Sequence, residues 1–554
     1  MKKGKAFYLI TALILSSLLI IQQSCKKDDE LPEESPYLSV TLHRLTLKHD
    51  LYYQLKHNER SIEMEFSQPI DTGTVAGNIS FSDKSGSLSS HYDLVISGRK
   101  VLIAFHSDFQ LSDGWKYLLT ITTGLKSTSG ESLKQNETIE LRTSTNLTSI
   151  GSTQRNSIAC ISDVHMGDSR AVSGNYCWFG KNAKALESFL DTIIINSDNI
   201  RVLVILGDLF DEWLVPYTVS PFDPNAGINN TKEYFLAIAG SPTNSQIFDK
   251  LRAIALNDDI ELVYVPGNHD MLMTQDIMEE IIPHVTWAGD TAGLGKYSPV
   301  NGIIMEHGHR YDFFNCPHSL VNPGHILPPG YFISRLYAQG LSTQTYNLNK
   351  EALTSEGSFE FRAAWDIACL YCLLYFDMEV PLMDSANILM GGIDSYSDPF
   401  SFNSLEEMYA ANIEDFWPAT QIQNAVPVPI ECCLQAIWNG HSDLFIAAKT
   451  EYMKQPPAPN TYKVVAFGHT HEPMLEVYPP GKQYTSIYAN SGSWINANDC
   501  NHAVRTYLII NPAEWTGSDL DVVMLYQYNL NSNSGNPNPP YEPVLISEES
   551  IDIN

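Results

Sequence analysis

Two textures of hydrophobic patterning succeed one another along the chain. From residue 37 to about 145, short alternating runs are broken by Gly, Ser, Asn and Asp. In 61–66 (SIEMEF), Ile62, Met64 and Phe66 share one face, and 100–105 and 117–122 are further strand candidates. Regularly spaced short strands with turn signals predict an all-β sandwich over 37–146. After a linker-like stretch, 146–155, continuous apolar runs alternate with helical periodicity, which predicts an α/β domain over 156–528. Its central stretch is 201–211, RVLVILGDLFD. Five consecutive apolar residues, three of them β-branched, predict a strand buried on both faces that stops at Gly207-Asp208.

An amphipathic helix is expected over 182–195, with neighbouring strands at 157–161, 261–265, 302–305 and 462–467. Stretches 505–510 and 521–526 supply more. Residues 312–460 are an insertion between the last two of the four neighbouring strands. Within it, 361–376 is nearly apolar all round, broken by Arg362 and Asp366. Such a helix is ordinarily buried, and the insertion is expected to form a mostly helical cap with an apolar wall over the site. From Asn529 the tail, 529–554, is rich in Asn, Pro and Ser and is expected to be disordered.

A chain of 554 residues exceeds one ordinary core. Its formal net charge of -30 excludes a nucleic-acid backbone as partner, which would need clustered Lys and Arg. It leaves room for a small phosphorylated substrate held by cations, which reverse the local field. Lys2, Lys3 and Lys5 precede an apolar run, 6–21, too short to span a membrane, so 1–25 is expected to be a signal peptide. Cys25 after Ser24 resembles the lipid-modified cysteine of a bacterial lipoprotein, although Gln22 and Gln23 depart from the usual pattern. The charged tether 26–36 resembles that of surface-exposed lipoproteins of the Bacteroidetes. Anchoring at the outer membrane follows as an expectation, with periplasmic and external faces both open. Of nine cysteines, the eight beyond Cys25 show no framework spacing. Buried thiols are expected at Cys369 and Cys372.

The chemistry collects at strand ends. In open α/β sheets ligands sit at the carboxyl edge, and each of these strands ends there in Asp, Asn or His. Asp163 and His165, two apart on an extended segment, point to one side. Asp208 is read as a ligand shared by two cations, with Asp211 in the same loop. Asn268 offers a neutral amide oxygen, and His269 beside it can act on a leaving group. His307 and His309 follow the fourth strand, and His469 and His471 follow the fifth. Arg310 leaves substrate phosphate and an ion pair both open. Trp213 and Trp494 leave pocket lining and packing both open. His318 and His325 are read as non-ligands.

The ordered set Asp-x-His, Gly-Asp-x-x-Asp, Gly-Asn-His-Asp, His-Gly-His, Gly-His-x-His resembles the calcineurin-like metallophosphoesterase superfamily over 156–511. The first domain, through FSQPID (66–71), LSDGWKYLLTIT (111–122) and GLKSTSGESL (124–133), resembles bacterial Ig-like domains. The resemblance implies a four-layer αββα sandwich with a two-metal centre. Asp163, His165 and His471 would hold one metal, and Asn268, His307 and His469 the other, with Asp208 between. GDLFDEW (207–213) and NSGSW (490–494) look most like the branch of UDP-2,3-diacylglucosamine hydrolases. His-Gly-His in place of His-Gly-Asp, the Ig-like domain and the export signal all depart from that branch.

The donor set suits Mn²⁺ first, with Fe and Zn²⁺ as alternatives. The chemistry implied is in-line attack by a metal-bridging hydroxide on a phosphomonoester or phosphodiester, as a small molecule or a lipid-linked phosphate. His269 would serve the leaving oxygen, oriented by Asp211 or Asp270. The competing reading is a surface-binding or adhesion lipoprotein that works through the Ig-like module, with hydrolysis incidental.

Overall fold

A strand buried on both faces has to be covered twice, and the two coverings define this architecture. The computed structural model describes residues 37–144 and 156–318 apart from 57, 175 and 197, then 327–342, 361–376, 387–390, 393, 400–426, 435–436, 444–453, 462–479, 486–496, 502–531 and 540–552. The central strand, Ile200–Leu206, lies in a seven-stranded sheet between Glu261–Val265 and Ser157–Ile161. Thr286–Trp287 flanks this parallel group on one side. Thr506–Asn511, Leu520–Leu530 and Tyr541–Asp552 continue it antiparallel on the other.

The period of two along each strand divides its apolar residues between two cores. Leu203 and Ile205, with Ala159 and Ile161, pack under the helices Ala183–Ile195 and Ser245–Ala255. The first helix buries Leu186, Phe189, Leu190 and Ile193, the i, i+3, i+4, i+7 stripe of an amphipathic helix. Val202, Val204 and Leu206 face the other way, onto Ile303, Met305, Val464 and Ala466 of a second sheet. That sheet orders Ile303–Met305, Val464–Phe467, Ser486–Asn490 and Met474–Tyr478. Its outer face, through Val465, Phe467 and Tyr488, is covered by Leu444 and Ala448 of the helix Leu444–Glu451. The result is a four-layer αββα sandwich.

The first domain is a two-sheet β-sandwich whose core includes Ile62, Met64 and Phe66, the face its alternation marked. It packs on the larger domain through charge. Lys48 and His49 reach Glu549 at 3.4 and 2.9 Å, Lys116 pairs with Asp552, and Arg142 donates to the Ser550 carbonyl. These partners lie on Tyr541–Asp552, within the tail expected to be disordered, so that expectation is corrected. The Asn- and Pro-rich composition stops short of this strand, which pairs with Leu520–Leu530 along one edge and is covered by the first domain near its end.

In the insertion, the described residues include the helices Pro329–Leu341, Phe361–Phe376 and Phe402–Gln423. Arg335 is fully buried and ties the first of them down. It donates to the carbonyls of Val215, Pro216, Val219 and Leu389 and to the Tyr331 hydroxyl. Cys369 is buried and Cys372 half-buried, both as free thiols. Cys25 and the leader lie outside the described residues. Among the described residues no helix is long and apolar enough to cross a membrane.

Candidate metal centre

The strand ends converge. Three groups of donors each have their ligand atoms within 4.8 Å of one another: Asp163, His165 and His471; His165, Asp208 and His269; Asp208, His307 and His469. Asp208 is common to two of them. Its Oδ2 lies 3.2 Å from His307 Nε2 and 3.7 Å from His165 Nε2. Asn268 Oδ1 faces His307 Nε2 at 3.1 Å and His469 Nδ1 at 2.9 Å. All of these side chains are buried or nearly so, His471 being the most open at 19%.

The backbone that achieves this is not the extended one expected for Asp163 and His165. Asp163, His165, Asp208, His469 and His471 all have left-handed φ, between 53° and 72°. For residues with a Cβ this conformation costs about 1–2 kcal/mol each, and such strain gathers at functional sites. Its effect is to turn the chain back at each strand end, so that neighbouring donors face inward together. The glycines beside the ligands permit the crowding. A Cβ on Gly207 (φ 85°) would lie 2.4 Å from His307 Nδ1, and one on Gly468 would lie 2.8 Å from Asp163 Oδ2.

Electrostatics follow from the same crowding. Burial alone would raise the Asp208 carboxyl, but His307 and His269 hold it well below the usual carboxylate range. Burial would lower His307, yet Asp208 and Asp163 overcome it and lift the imidazole to about 10. A field that stabilises positive charge so strongly, lined by carboxylate, amide and imidazole donors without thiolate, fits hard or borderline divalent cations.

Asp211 holds two imidazoles at once. Its Oδ1 lies 2.9 Å from His269 Nδ1 and its Oδ2 lies 2.9 Å from His165 Nδ1. Burial lowers the His165 pKa against the raising effect of Asp211. For His269 the burial effect is outweighed by Asp211 and Asp208, and its pKa rises above the ordinary value. Trp213, fully buried, stacks on His269 with ring centroids 4.3 Å apart and is packing rather than pocket lining. Trp494 is likewise buried, against Phe189.

Asp270 corrects the alternative orienter. Its carboxylate accepts from the backbone N–H groups of Leu209, Phe210 and Gly267 and from the Tyr264 hydroxyl, so it ties two turns together instead of meeting His269. Arg310 is 8% exposed and pairs with Glu306 at 2.9 Å, a buried ion pair. His309 Nε2 lies 3.0 Å from the Gly293 carbonyl and His318 Nε2 lies 2.9 Å from that of Phe313. His325 lies outside the described residues.

Two contributors, Trp178 and Asp312, gave no motif-level signal. Trp178 is half-buried, its ring 5.0 Å from His165, 5.7 Å from His269 and 6.1 Å from His471, with Tyr337 of the insertion 6.1 Å behind it. Asp312 meets His469 Nε2 at 3.0 Å. The NSGSW stretch braces the ligand loops. Asn490 donates to the Gly468 carbonyl at 2.6 Å, Ser491 meets Ser162 at 2.6 Å, and Trp494 N donates to the Asp163 carbonyl at 2.9 Å.

Comparison with known families agrees with this layout. Residues 54–145 match the model described as a bacterial Ig-like domain, and residues 157–354 match that described as a calcineurin-like phosphoesterase. No curated protein matches the chain. Among solved structures, the N-terminal part of the bacterial S-layer protein SbsC is 18% identical, over 22% of this chain and 29% of that one, with a TM-score of 0.13. The chain thus spans under a third of that relative. Phosphopantetheinyl hydrolase from Mycobacterium tuberculosis is 11% identical, over 62% of this chain and 90% of that one (TM-score 0.20). Purple acid phosphatase PPD1 from yellow lupin (Lupinus luteus) is 9% identical, over 90% and 73% (TM-score 0.22).

Proposed function

Taking the chain as a bacterial Ig-like domain followed by a calcineurin-like phosphoesterase domain, and so a metal-dependent phosphoesterase, we propose that it hydrolyses phosphomonoesters or phosphodiesters at a dinuclear centre. The observation that carries the reading is Asp208, whose Oδ2 lies 3.7 Å from His165 Nε2 of one set and 3.2 Å from His307 Nε2 of the other. Asp163, His165 and His471 would hold one cation, and Asn268, His307 and His469 the other, Mn²⁺ being the first choice with Fe or Zn²⁺ as alternatives. When bound, such a pair supplies a water of lowered pKa and a positive seat for phosphoryl oxygens.

The chain's own groups do the rest. His269 is oriented through Nδ1 by Asp211 and packed flat by Trp213, which leaves Nε2 to hand a proton to the leaving oxygen. Asp211 and Asp208 raise the His269 pKa against the effect of burial. Trp178 and Tyr337 form an aromatic wall beside the imidazoles, which favours a flat or apolar leaving group.

The test is a panel of nitrophenyl phosphate mono- and diesters and alkyl analogues with Mn²⁺-reconstituted protein, bound metal being quantified in the same sample. Hydrolysis is expected, and Asp208→Ala should abolish it and release metal from both sites. Wild type and variant equally inert across the panel would remove the reading. Replacing the insertion with a short linker should change leaving-group preference and leave metal content intact.

Export and lipid anchoring at the outer membrane are proposed from 1–36 alone, on either face. Palmitate labelling that is lost in Cys25→Ala is the expected outcome, and equal labelling would exclude that anchor.

A further inference from the structure

Beneath the donors Asn268, His307 and His469 runs a closed chain of hydrogen bonds. Asn268 donates through Nδ2 to Asn315 Oδ1 at 3.1 Å, and Asn315 Nδ2 donates to Asp312 Oδ2 at 2.5 Å. The same Asp312 oxygen lies 3.0 Å from His469 Nε2, and His469 Nδ1 lies 2.9 Å from Asn268 Oδ1. Asp312 is 3% exposed and its Oδ1 accepts from Phe314 N at 2.9 Å.

One group in this ring has no choice of role. An ionised carboxylate can only accept, whereas an amide can face either way and an imidazole can carry its proton on either nitrogen. Because Asp312 accepts, Asn315 must turn its Nδ2 toward it and so present Oδ1 to Asn268. Asn268 must then donate with Nδ2, which leaves its Oδ1 turned toward His307 and His469. The same carboxylate keeps the His469 proton on Nε2, so Nδ1 retains its lone pair on the cation side.

We propose that Asp312 and Asn315 are positioning residues for the second cation: Asp312 sets the His469 tautomer and, through Asn315, the direction of the Asn268 amide. The inference rests on the dinuclear reading above. It also ties the insertion to the metals. Gly330, in the first turn of Pro329–Leu341, donates its N–H to the Phe314 carbonyl at 2.8 Å. A Cβ there would lie 2.6 Å from that carbonyl oxygen and 2.7 Å from Asn315 Oδ1. Gly330→Ala should improve the helix by propensity and yet displace Asn315.

The experiment measures metal stoichiometry and stepwise Mn²⁺ affinity of the full chain by dialysis and elemental analysis, with electron paramagnetic resonance to separate paired from isolated Mn²⁺. Wild type should hold two ions. Asp312→Ala and Asn315→Ala should keep the first and bind the second about 10–100-fold more weakly, with the paired signal replaced by an isolated one. Asp312→Asn, which retains an acceptor oxygen, should recover part of the loss. Gly330→Ala should weaken the second ion in the same direction. If Asp312→Ala fails to fold, Asn315→Ala and Gly330→Ala carry the test, since both leave the carboxylate in place. Two ions bound with wild-type affinity in Asn315→Ala and Gly330→Ala would overturn the proposal, as would a wild type that holds fewer than two. A wild type that holds two ions and hydrolyses no phosphoester removes the enzymatic reading and leaves this one standing.

Discussion

Asp211→Asn separates two jobs that one carboxylate performs. Asp211 is fully buried and accepts four hydrogen bonds. Its Oδ1 takes Trp213 N and Leu214 N at 3.1 Å and faces His269 at 2.9 Å, while Oδ2 faces only His165 among these. An asparagine will keep its oxygen at the Oδ1 position, because the reverse orientation would turn an NH₂ group on two buried backbone N–H donors. Each buried donor left unpaired costs about 1–3 kcal/mol. The amide NH₂ therefore points at His165 Nδ1, which must become an acceptor, and the His165 proton moves to Nε2. That nitrogen can then no longer ligate the first cation, whereas His269 keeps its partner. A lost outer partner of a ligating histidine weakens metal binding about 10–100-fold, or about 1.4–2.7 kcal/mol. The assay titrates Mn²⁺ against hydrolysis of nitrophenyl and alkyl esters. For Asp211→Asn the curve should shift to higher Mn²⁺, with most of the nitrophenyl-ester rate regained at saturation and less of the alkyl-ester rate, since His269 loses the carboxylate charge that raises its pKa. His269→Ala should show the opposite pattern: unshifted Mn²⁺ dependence and a loss of about 10²–10⁴-fold that falls mainly on the alkyl esters, whose leaving group needs the proton. An unshifted Mn²⁺ curve for Asp211→Asn, or a nitrophenyl-ester loss that no Mn²⁺ concentration restores, would refute the reasoning.

Other outcomes follow from buried groups away from the metals. Arg335→Met should destabilise the insertion by about 3–5 kcal/mol, as for a buried charged group whose partners are stranded, read as early local unfolding by hydrogen exchange across Pro329–Leu341. His318 is fully buried, and burial pushes its pKa down to about 4 from 6.5. Below pH 6.5 the unfolded chain takes a proton that the folded one refuses until about pH 4. The stability is therefore full above 6.5 and falls as pH drops toward 4, by at most about 1.4 kcal/mol per unit. Denaturant unfolding of His318→Gln over that window should lose this slope.

The apolar code alone determined that the central strand is covered on both faces; the count of four layers came from the family resemblance. A run such as VLVIL has no polar face to give to water, so it can exist only between two coverings, and its alternate residues supply both cores. The alternation of 61–66 settled the sandwich face in the same way. The donors were legible because each stands where an apolar run stops. What the sequence could not reveal is how those ends are bent and braced. Left-handed φ at five ligand residues has no signature in Asp or His themselves, since only the surrounding fold can hold that strain. The choice between Asp211 and Asp270 likewise depended on which carboxylate the Gly267–Asp270 turn consumes. Asp312 and Asn315 stand a few residues beyond a recognised motif and Trp178 in a loop of no pattern. Asp312 and Trp178 matter through partners more than a hundred positions away, and Asn315 through Asn268, 47 positions back; such contacts come into being only on folding. The tail strand shows the same limit from the other side: composition reported polar chain, and an open sheet edge with an adjoining domain gave it a place.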